Sequence, residues 1–500
     1  MSIGDLTEYN PWWLDREAID RDKLVVDWES TRFKWDPRLE KTIQWDVDVI
    51  YVLRGPRQVG KTTLLKLKIR DLLRAGIEAR RIFYWPCDLV EGPEKLARMI
   101  VSYQDIARKD ETRRLYIILD EISSVKEWQK GIKSLYDAGK LRECTVVLTG
   151  SHSIDLRRAS ETLAQRRGEV HKLKDRLPDK VLLPAKFSEY AETRSDRVRE
   201  FVRDLDLLKR ERRHAIWNQI CRGSLPKELE ELQLLSKDLE VLFNEYLITG
   251  GIPKAVNAHL SEGAISRDVY EGYVELLLRD IRRWNGNEIT LRQIVRRITD
   301  TLGTPVTLNG LRQETDVSSH HTTGSYLDFL RDSFVVTVIH KLDKNRDAAI
   351  IRNSRKIHFE DPFLFHALRA WALGRDPYRE AISFLSETEK AAKLVECVVS
   401  SHLVRLLFSY QPSVQFDYTN HLFHWQSSKQ RELDFVMRME KAYLPIEVKY
   451  QNRISSQDAG PIIDFLKGGK STAGVLLTKD VLARKQSYLE IPVYQCLLLV

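Results

Sequence analysis

The chain has 500 residues, 43% of them hydrophobic, and its 80 Lys and Arg outnumber its 72 Asp and Glu to give a formal net charge of +8. That length exceeds what one core supports and predicts three or four domains. No apolar run approaches the roughly 18 residues of a membrane span, and the N-terminus lacks a signal-peptide pattern, so the sequence reads as that of a soluble, cytoplasmic protein with no membrane partner.

In chain order, residues 1–45 read as an N-terminal packing arm, because the adjacent Trp12 and Trp13 of "YNPWW" would seldom stay exposed. A short apolar strand, Val49 to Leu53, then runs into Gly55-Pro56-Arg57-Gln58-Val59-Gly60-Lys61-Thr62-Thr63 and an amphipathic helix. This is the P-loop pattern in its strand–loop–helix setting. The glycines let backbone N–H groups curl toward phosphates, and the helix N-terminus adds a favourable dipole. Lys61 is placed to reach the β/γ-phosphates of ATP, and the Thr62 hydroxyl to ligate Mg²⁺. Downstream, the buried strand Leu115 to Leu119 ends in Asp120-Glu121. An acid at the first position holds Mg²⁺ in P-loop enzymes, and Glu121 is then the general base that polarises the attacking water. The strand in "CTVVLTGSHS" ends near Thr149 and Ser151, candidates for sensing the γ-phosphate. Arg166, in "ETLAQRRGEV", is a candidate for acting in trans on a neighbouring subunit's ATP.

The order of "NPWW", "GPRQVGKTT", "LDEISSVKEWQKGIKSLYDAG", "LTGS", "ETLAQRR", "LPAKFSEYAE", "EYLITGGIPKAV" and "IPVYQCLLL" resembles the archaeal and bacterial AAA+ ATPases that carry a C-terminal domain of formerly unknown function. The resemblance runs nearly full length. Gln165 stands where the family carries glycine before the arginine, and Ala185 where it carries leucine or methionine. The resemblance implies an AAA+ core over 46–193 and a helical lid over 194–286, where apolar residues recur at three- and four-residue spacing. It also implies that Pro253, in "GGIPKAV", touches the adenine side of the nucleotide.

From 287 to 350 the sequence reads helix, helix, turn, helix, hairpin, the pattern of a winged helix. Its second motif helix would present Ser318, Ser319, His320, His321, Thr322 and Thr323 near its start, a set without Arg or Asn. Dense basic stretches such as "RDIRRW" permit a phosphate backbone as partner. The five cysteines are far apart and form no C-x-x-C pair, which argues against a zinc site or a disulfide framework and for small core residues.

Over 351–500 a long helix is followed by alternating strands, the order of a restriction-endonuclease-like fold. In "ELDFVMRM" Asp434 shares a face with Glu432, and in "YLPIEVKY" Glu447 shares a face with Lys449. Pairing those strands brings Asp434 and Glu447 within about 5 Å. Two carboxylates that close require a cation between them, and Mg²⁺ accepts such ligands. Glu396 on the long helix would complete the metal set, and Lys449 would position a water or stabilise developing charge. This D…E-x-K arrangement is that of the PD-(D/E)xK nucleases, which the family's C-terminal domain resembles.

The expected protein is thus an α/β multidomain ATP hydrolase with ATP and Mg²⁺ as cofactors. It would act on branched or single-stranded DNA as a homo-oligomer such as a hexameric ring, with a Mg²⁺-dependent C-terminal domain that cuts or grips. The alternative is an ATP-gated DNA- or protein-binding switch whose nuclease fold is catalytically silent.

Overall fold

The computed structural model describes residues 3–107, 113–150, 156, 162–163, 165–413, 416–427, 430–439 and 442–500. The chain folds as two compact units, Met1–Leu183 and Pro184–Val500.

The first unit is built on five parallel strands: β1 (Val49–Arg54), β2 (Ile82–Pro86), β3 (Leu115–Asp120), β4 (Cys144–Thr149) and β5 (Asp179–Val181). Their order across the sheet is β2-β3-β4-β1-β5. β1, β3 and β4 are near-continuous aliphatic runs, buried along almost their whole length, as parallel strands covered on both faces must be. Because β4 lies between β1 and β3, the carboxyl ends of all three meet at one edge, where open α/β sheets place their ligands.

The arm expected over residues 1–45 packs on this sheet, and "NPWW" is the reason. β2 is an edge strand. The buried Asn10 side chain accepts from the Tyr84 N–H at 2.7 Å and donates to the Tyr84 carbonyl at 3.0 Å, pairing with β2 as a peptide would. The indole N–H groups of Trp12 and Trp13 both donate to the Ile82 carbonyl, at 3.1 and 2.9 Å. Asn10→Ala orphans a buried donor and a buried acceptor. It is expected to destabilise the protein by about 2–4 kcal/mol in denaturant titration; a loss under about 1 kcal/mol would show that the arm does not hold this edge.

The second unit begins with helices that fill the region where the sequence predicts a lid, from Phe187–Arg194 to Arg267–Arg283. The helices Glu288–Asp300, Leu308–Arg312 and His320–Asp332 and a hairpin follow in the order expected for 287–350. The hairpin strands are β6 (Val336–Asp343) and β7 (Ala348–Phe359). They do not close a separate domain. Instead they join β8 (Leu422–Gln426), β9 (Glu432–Met439), β10 (Ala442–Lys449), β11 (Gly474–Thr478), β12 (Ala483–Arg484) and β13 (Tyr488–Pro492) in one sheet, ordered β12-β13-β11-β10-β9-β8-β6-β7. The boundary drawn after residue 350 therefore falls inside a strand.

Candidate functional site

In the first unit the loop Gly55–Gly60 leaves β1 and enters the helix Lys61–Arg74. A glycine is needed at position 55: its φ is +152°, and a Cβ there would lie 2.0 Å from the Leu182 carbonyl oxygen. The backbone is left-handed at Gln58 and Gly60, with φ of 59° and 96°, which turns the loop over the helix start. Pro56, Arg57, Val59 and Thr63 lie along the same loop and first helical turn. The Lys61 ammonium is buried against the loop it serves, 2.9 Å from the carbonyl oxygens of Gly55 and Pro56.

Asp120, the last residue of β3, is the hub of this edge. Its carboxylate accepts from the Thr62 hydroxyl at 2.8 Å, from the Tyr84 phenol at 3.0 Å and from the Thr149 hydroxyl at 3.1 Å. The Glu121 N–H adds a fourth bond at 3.1 Å. Burial, and then the Asp120 charge, push the Tyr84 phenol well above its ordinary value, so it stays a donor. Its ring is held by Lys66, whose ammonium lies 3.8 Å from the ring centroid and 3.1 Å from Asp22. Glu121 takes a left-handed conformation, φ 49°, just past the strand end.

Lys61, Thr62 and Asp120 thus stand together as a phosphate and Mg²⁺ set requires. The helix start and buried ammonium fit phosphates, and Thr62 with Asp120 fits the cation. Bound Mg²⁺ supplies charge neutralisation at the phosphates. Thr149 belongs to the group because β4 runs between the two motif strands. Ser151 lies outside the described residues. Arg166 is turned away by an ion pair within its own unit, 2.7 Å from Asp137. Pro253 belongs to the second unit, where it opens the helix Pro253–Glu262.

In the second unit, Asp434 and Glu447 lie on antiparallel neighbours whose register ends at Ile446↔Phe435. Beyond that pair the carboxylates take over as acceptors. The Asp434 N–H donates to Glu447 Oε2 at 3.2 Å, and the Val448 N–H donates to Asp434 Oδ2 at 2.9 Å. Lys449 is 2.7 Å from Glu447 Oε1. Glu396, on the helix Thr388–Tyr410, also reaches this place.

The expected facing of these residues holds, but the cation among them is a lysine. Lys356 of β7 is fully buried, with Nζ 2.7 Å from Glu396 Oε1, 2.6 Å from Glu432 Oε1 and 2.8 Å from Asp434 Oδ1. The expected Mg²⁺ set of Glu396, Asp434 and Glu447 therefore does not fit. Among the described residues no group of three or more His, Cys, Asp or Glu is arranged to hold a metal ion. Burial presses the Lys356 ammonium to deprotonate, and Asp434, Glu396 and Glu432 overcome it, holding Lys356 well above its ordinary value. Burial also pushes Asp434 up, but Lys356 and Lys449 overcome it and hold its carboxyl low. Burial, with Asp434 nearby, pushes Glu447 up to about 8.

Sequence reasoning missed Tyr84 and Lys356. For Lys356 a signal exists in "SRKIHFED": Lys356 and His358 alternate with Ile357 and Phe359, and all four are buried. A lysine on a strand buried on both faces is rare unless paired.

Residues 48–191 match a family model described as an AAA domain. Residues 240–377 and 392–494 match two domains of unknown function, DUF8612 and DUF4143. An uncharacterized protein of Methanocaldococcus jannaschii is 25% identical over 261 residues, 51% of this chain and 49% of its own length, so the match spans about half of that relative. One from Haemophilus influenzae is 24% identical over 355 residues, 67% of this chain and 72% of its own. Among solved structures, the Aeropyrum pernix Orc1 protein in complex with DNA covers 74% of this chain and 97% of its own at 14% identity, TM-score 0.27. Cdc6p from Pyrobaculum aerophilum covers 75% and 97% at 13%, TM-score 0.25. A Thermotoga maritima RuvB variant covers 64% and 89% at 16%, TM-score 0.22. The P-loop and the strands β1, β3 and β4 all lie within the residues that match the AAA domain. Among the described residues no helix is long and apolar enough to cross a membrane.

Proposed function

We propose that this protein hydrolyses ATP in its first unit and uses the nucleotide state to control its hold on DNA, acting as a homo-oligomer. The observation that carries the ATPase reading is the single carboxylate of Asp120, which gathers Thr62 of the P-loop and Thr149 of the intervening strand. In this reading Lys61 binds phosphate, Thr62 and Asp120 hold Mg²⁺, and Glu121 activates water. Arg166 reaches a neighbouring subunit only after leaving Asp137. The DNA reading is supported by the +8 formal charge, and by exposed Ser318, His320 and His321 at a helix start and exposed Arg346 and Arg352 on the adjoining hairpin.

Of the two readings of the C-terminal sheet, gripping is favoured over cutting, because Lys356 fills the place where a catalytic cation would stand. The test is ATP turnover with single-stranded, branched and duplex DNA, set against unfolded protein, for the native chain and Lys61→Ala. DNA-stimulated turnover that falls by 100-fold or more in Lys61→Ala, on the order of a removed phosphate-charge contact, is the expected result. Stimulation by unfolded protein alone would replace DNA with a protein substrate. Unchanged turnover in Lys61→Ala would end the ATPase reading.

A further inference from the structure

The Lys356 cluster has the shape of a metal centre with an ammonium at its middle. An ammonium has three N–H donors, and three carboxyl oxygens from two elements receive them: the helix Thr388–Tyr410 through Glu396, and β9 through Glu432 and Asp434. Other oxygens of the cluster have partners of their own. Asp434 Oδ2 accepts from Val448 N–H, and both Glu447 oxygens are taken by Lys449 and the Asp434 N–H. Glu396 Oε2 abuts Gly303, where a Cβ would stand 3.0 Å away. The imidazoles beside the cluster are neutral: burial, with Lys356 nearby, pushes His358 and His424 down to about 3.

Lys356 is also fixed from behind. The preceding residue, Arg355, exchanges two backbone hydrogen bonds with Val306, both 2.9 Å. Lys356 itself is paired with Ile339 of β6. These bonds hold in β7 the backbone from which the ammonium reaches the cluster.

We propose that Lys356 is a resident counter-ion in the place where a divalent cation would bridge Glu396 and Asp434, so that the native domain takes up no metal there and the cluster becomes a divalent-cation site when the ammonium is removed. A buried set of carboxylates left without its cation must either protonate or recruit another, and Mn²⁺ or Mg²⁺ is matched to carboxylate oxygen. The proposal rests on this geometry and is independent of the ATPase reading.

The experiment is a Mn²⁺ titration of the full chain without nucleotide, followed by calorimetry, for the native protein, Asp434→Asn, Lys356→Ala, Lys356→Met and Lys356→Ala/Asp434→Asn. The native protein and Asp434→Asn should bind the same number of Mn²⁺ ions. Lys356→Ala should gain one equivalent, lost again in the double variant. Its melting temperature should fall below that of the native protein, and adding Mn²⁺ should raise it by more than it raises the native value. One equivalent more in the native protein than in Asp434→Asn would overturn the proposal, as would a cooperatively folded Lys356→Ala or Lys356→Met that gains none. If neither Lys356 variant folds, the comparison of native protein with Asp434→Asn still decides.

Discussion

Glu121→Gln is expected to keep nucleotide binding and to lower ATP turnover by about 10²–10⁴-fold, the range supplied by a positioned general base. The reasoning starts from Asp120. Its four hydrogen bonds, from Thr62, Tyr84, Thr149 and the Glu121 N–H, use both of its oxygens. A carboxylate so engaged is held in one place. The next residue, Glu121, is the carboxylate read as the general base, and its backbone is left-handed at φ 49°. Non-glycine residues hold that conformation only where the surroundings impose it. Glutamine keeps the shape and removes the basicity, so affinity for labelled ATP should stay within a few-fold while phosphate release collapses. Turnover within tenfold of the native value would assign the base elsewhere. Tyr84→Phe should act in the same assay through Asp120 alone. It removes one of the four bonds and is expected to have a far smaller effect than Glu121→Gln.

The second large effect is on stability. Asp361→Ala is expected to destabilise the second unit by about 3–5 kcal/mol, from two orphaned buried N–H groups, one of them the capped N–H at a helix start. The Asp361 side chain caps the helix Pro362–Leu373 through the Phe363 N–H at 2.9 Å. It also receives the Gly251 N–H at 2.7 Å. This explains "GGIP" as a receiving turn. A Cβ on Gly250 would lie 2.0 Å from Asp361 Oδ1, and the residue has φ 59°, so Gly250→Ala should be comparably damaging.

Burial pushes Asp361 up to about 6 against the pull of its N–H partners. A carboxyl raised in the folded state contributes stability that is present below its unfolded value near 3.8 and lost as pH rises through about 6. The penalty of Asp361→Ala should therefore be larger at pH 5 than at pH 7.5, by on the order of 1 kcal/mol. Denaturant titrations at the two pH values check both the size and the sign. Equal penalties would show that Asp361 titrates as it does in the unfolded chain.

The candidate nucleotide site was legible because its signals are local. Glycine spacing and a strand running into a helix specify the P-loop, and an acid at the end of an apolar run specifies Asp120. The facing of Asp434 and Glu447 was legible too, since alternation along a strand is fixed by geometry. Lys356 was not, because its position depends on how far the sheet curls. β7 is three strands from β9, about 14 Å in a flat sheet and beyond a lysine's reach. The register shifts between His340 and Lys341, and β6 meets β8 through the pairs His340↔Phe423 and Lys341↔His424. That bend brings Lys356 back over the carboxylates, and no short window of sequence encodes it. The same bend makes the hairpin part of the larger sheet, which is why a boundary after residue 350 reads well as sequence and fails as structure.

The docked asparagine has a consequence for how copies of this protein meet. Open sheets can grow by accepting a strand from another molecule at a bare edge. In the first unit the outward groups at Ile82 and Tyr84 are already engaged by an amide and two indoles, and Pro86 has no N–H to offer. The opposite edge, β5, is 3 residues long. Neither side of this sheet is a template for strand exchange, so any pairing of copies through this unit would have to use helices and loops. A chain shortened past Trp13 would reopen the β2 edge, and its characteristic failure would be self-adhesion through β-pairing rather than loss of the nucleotide site.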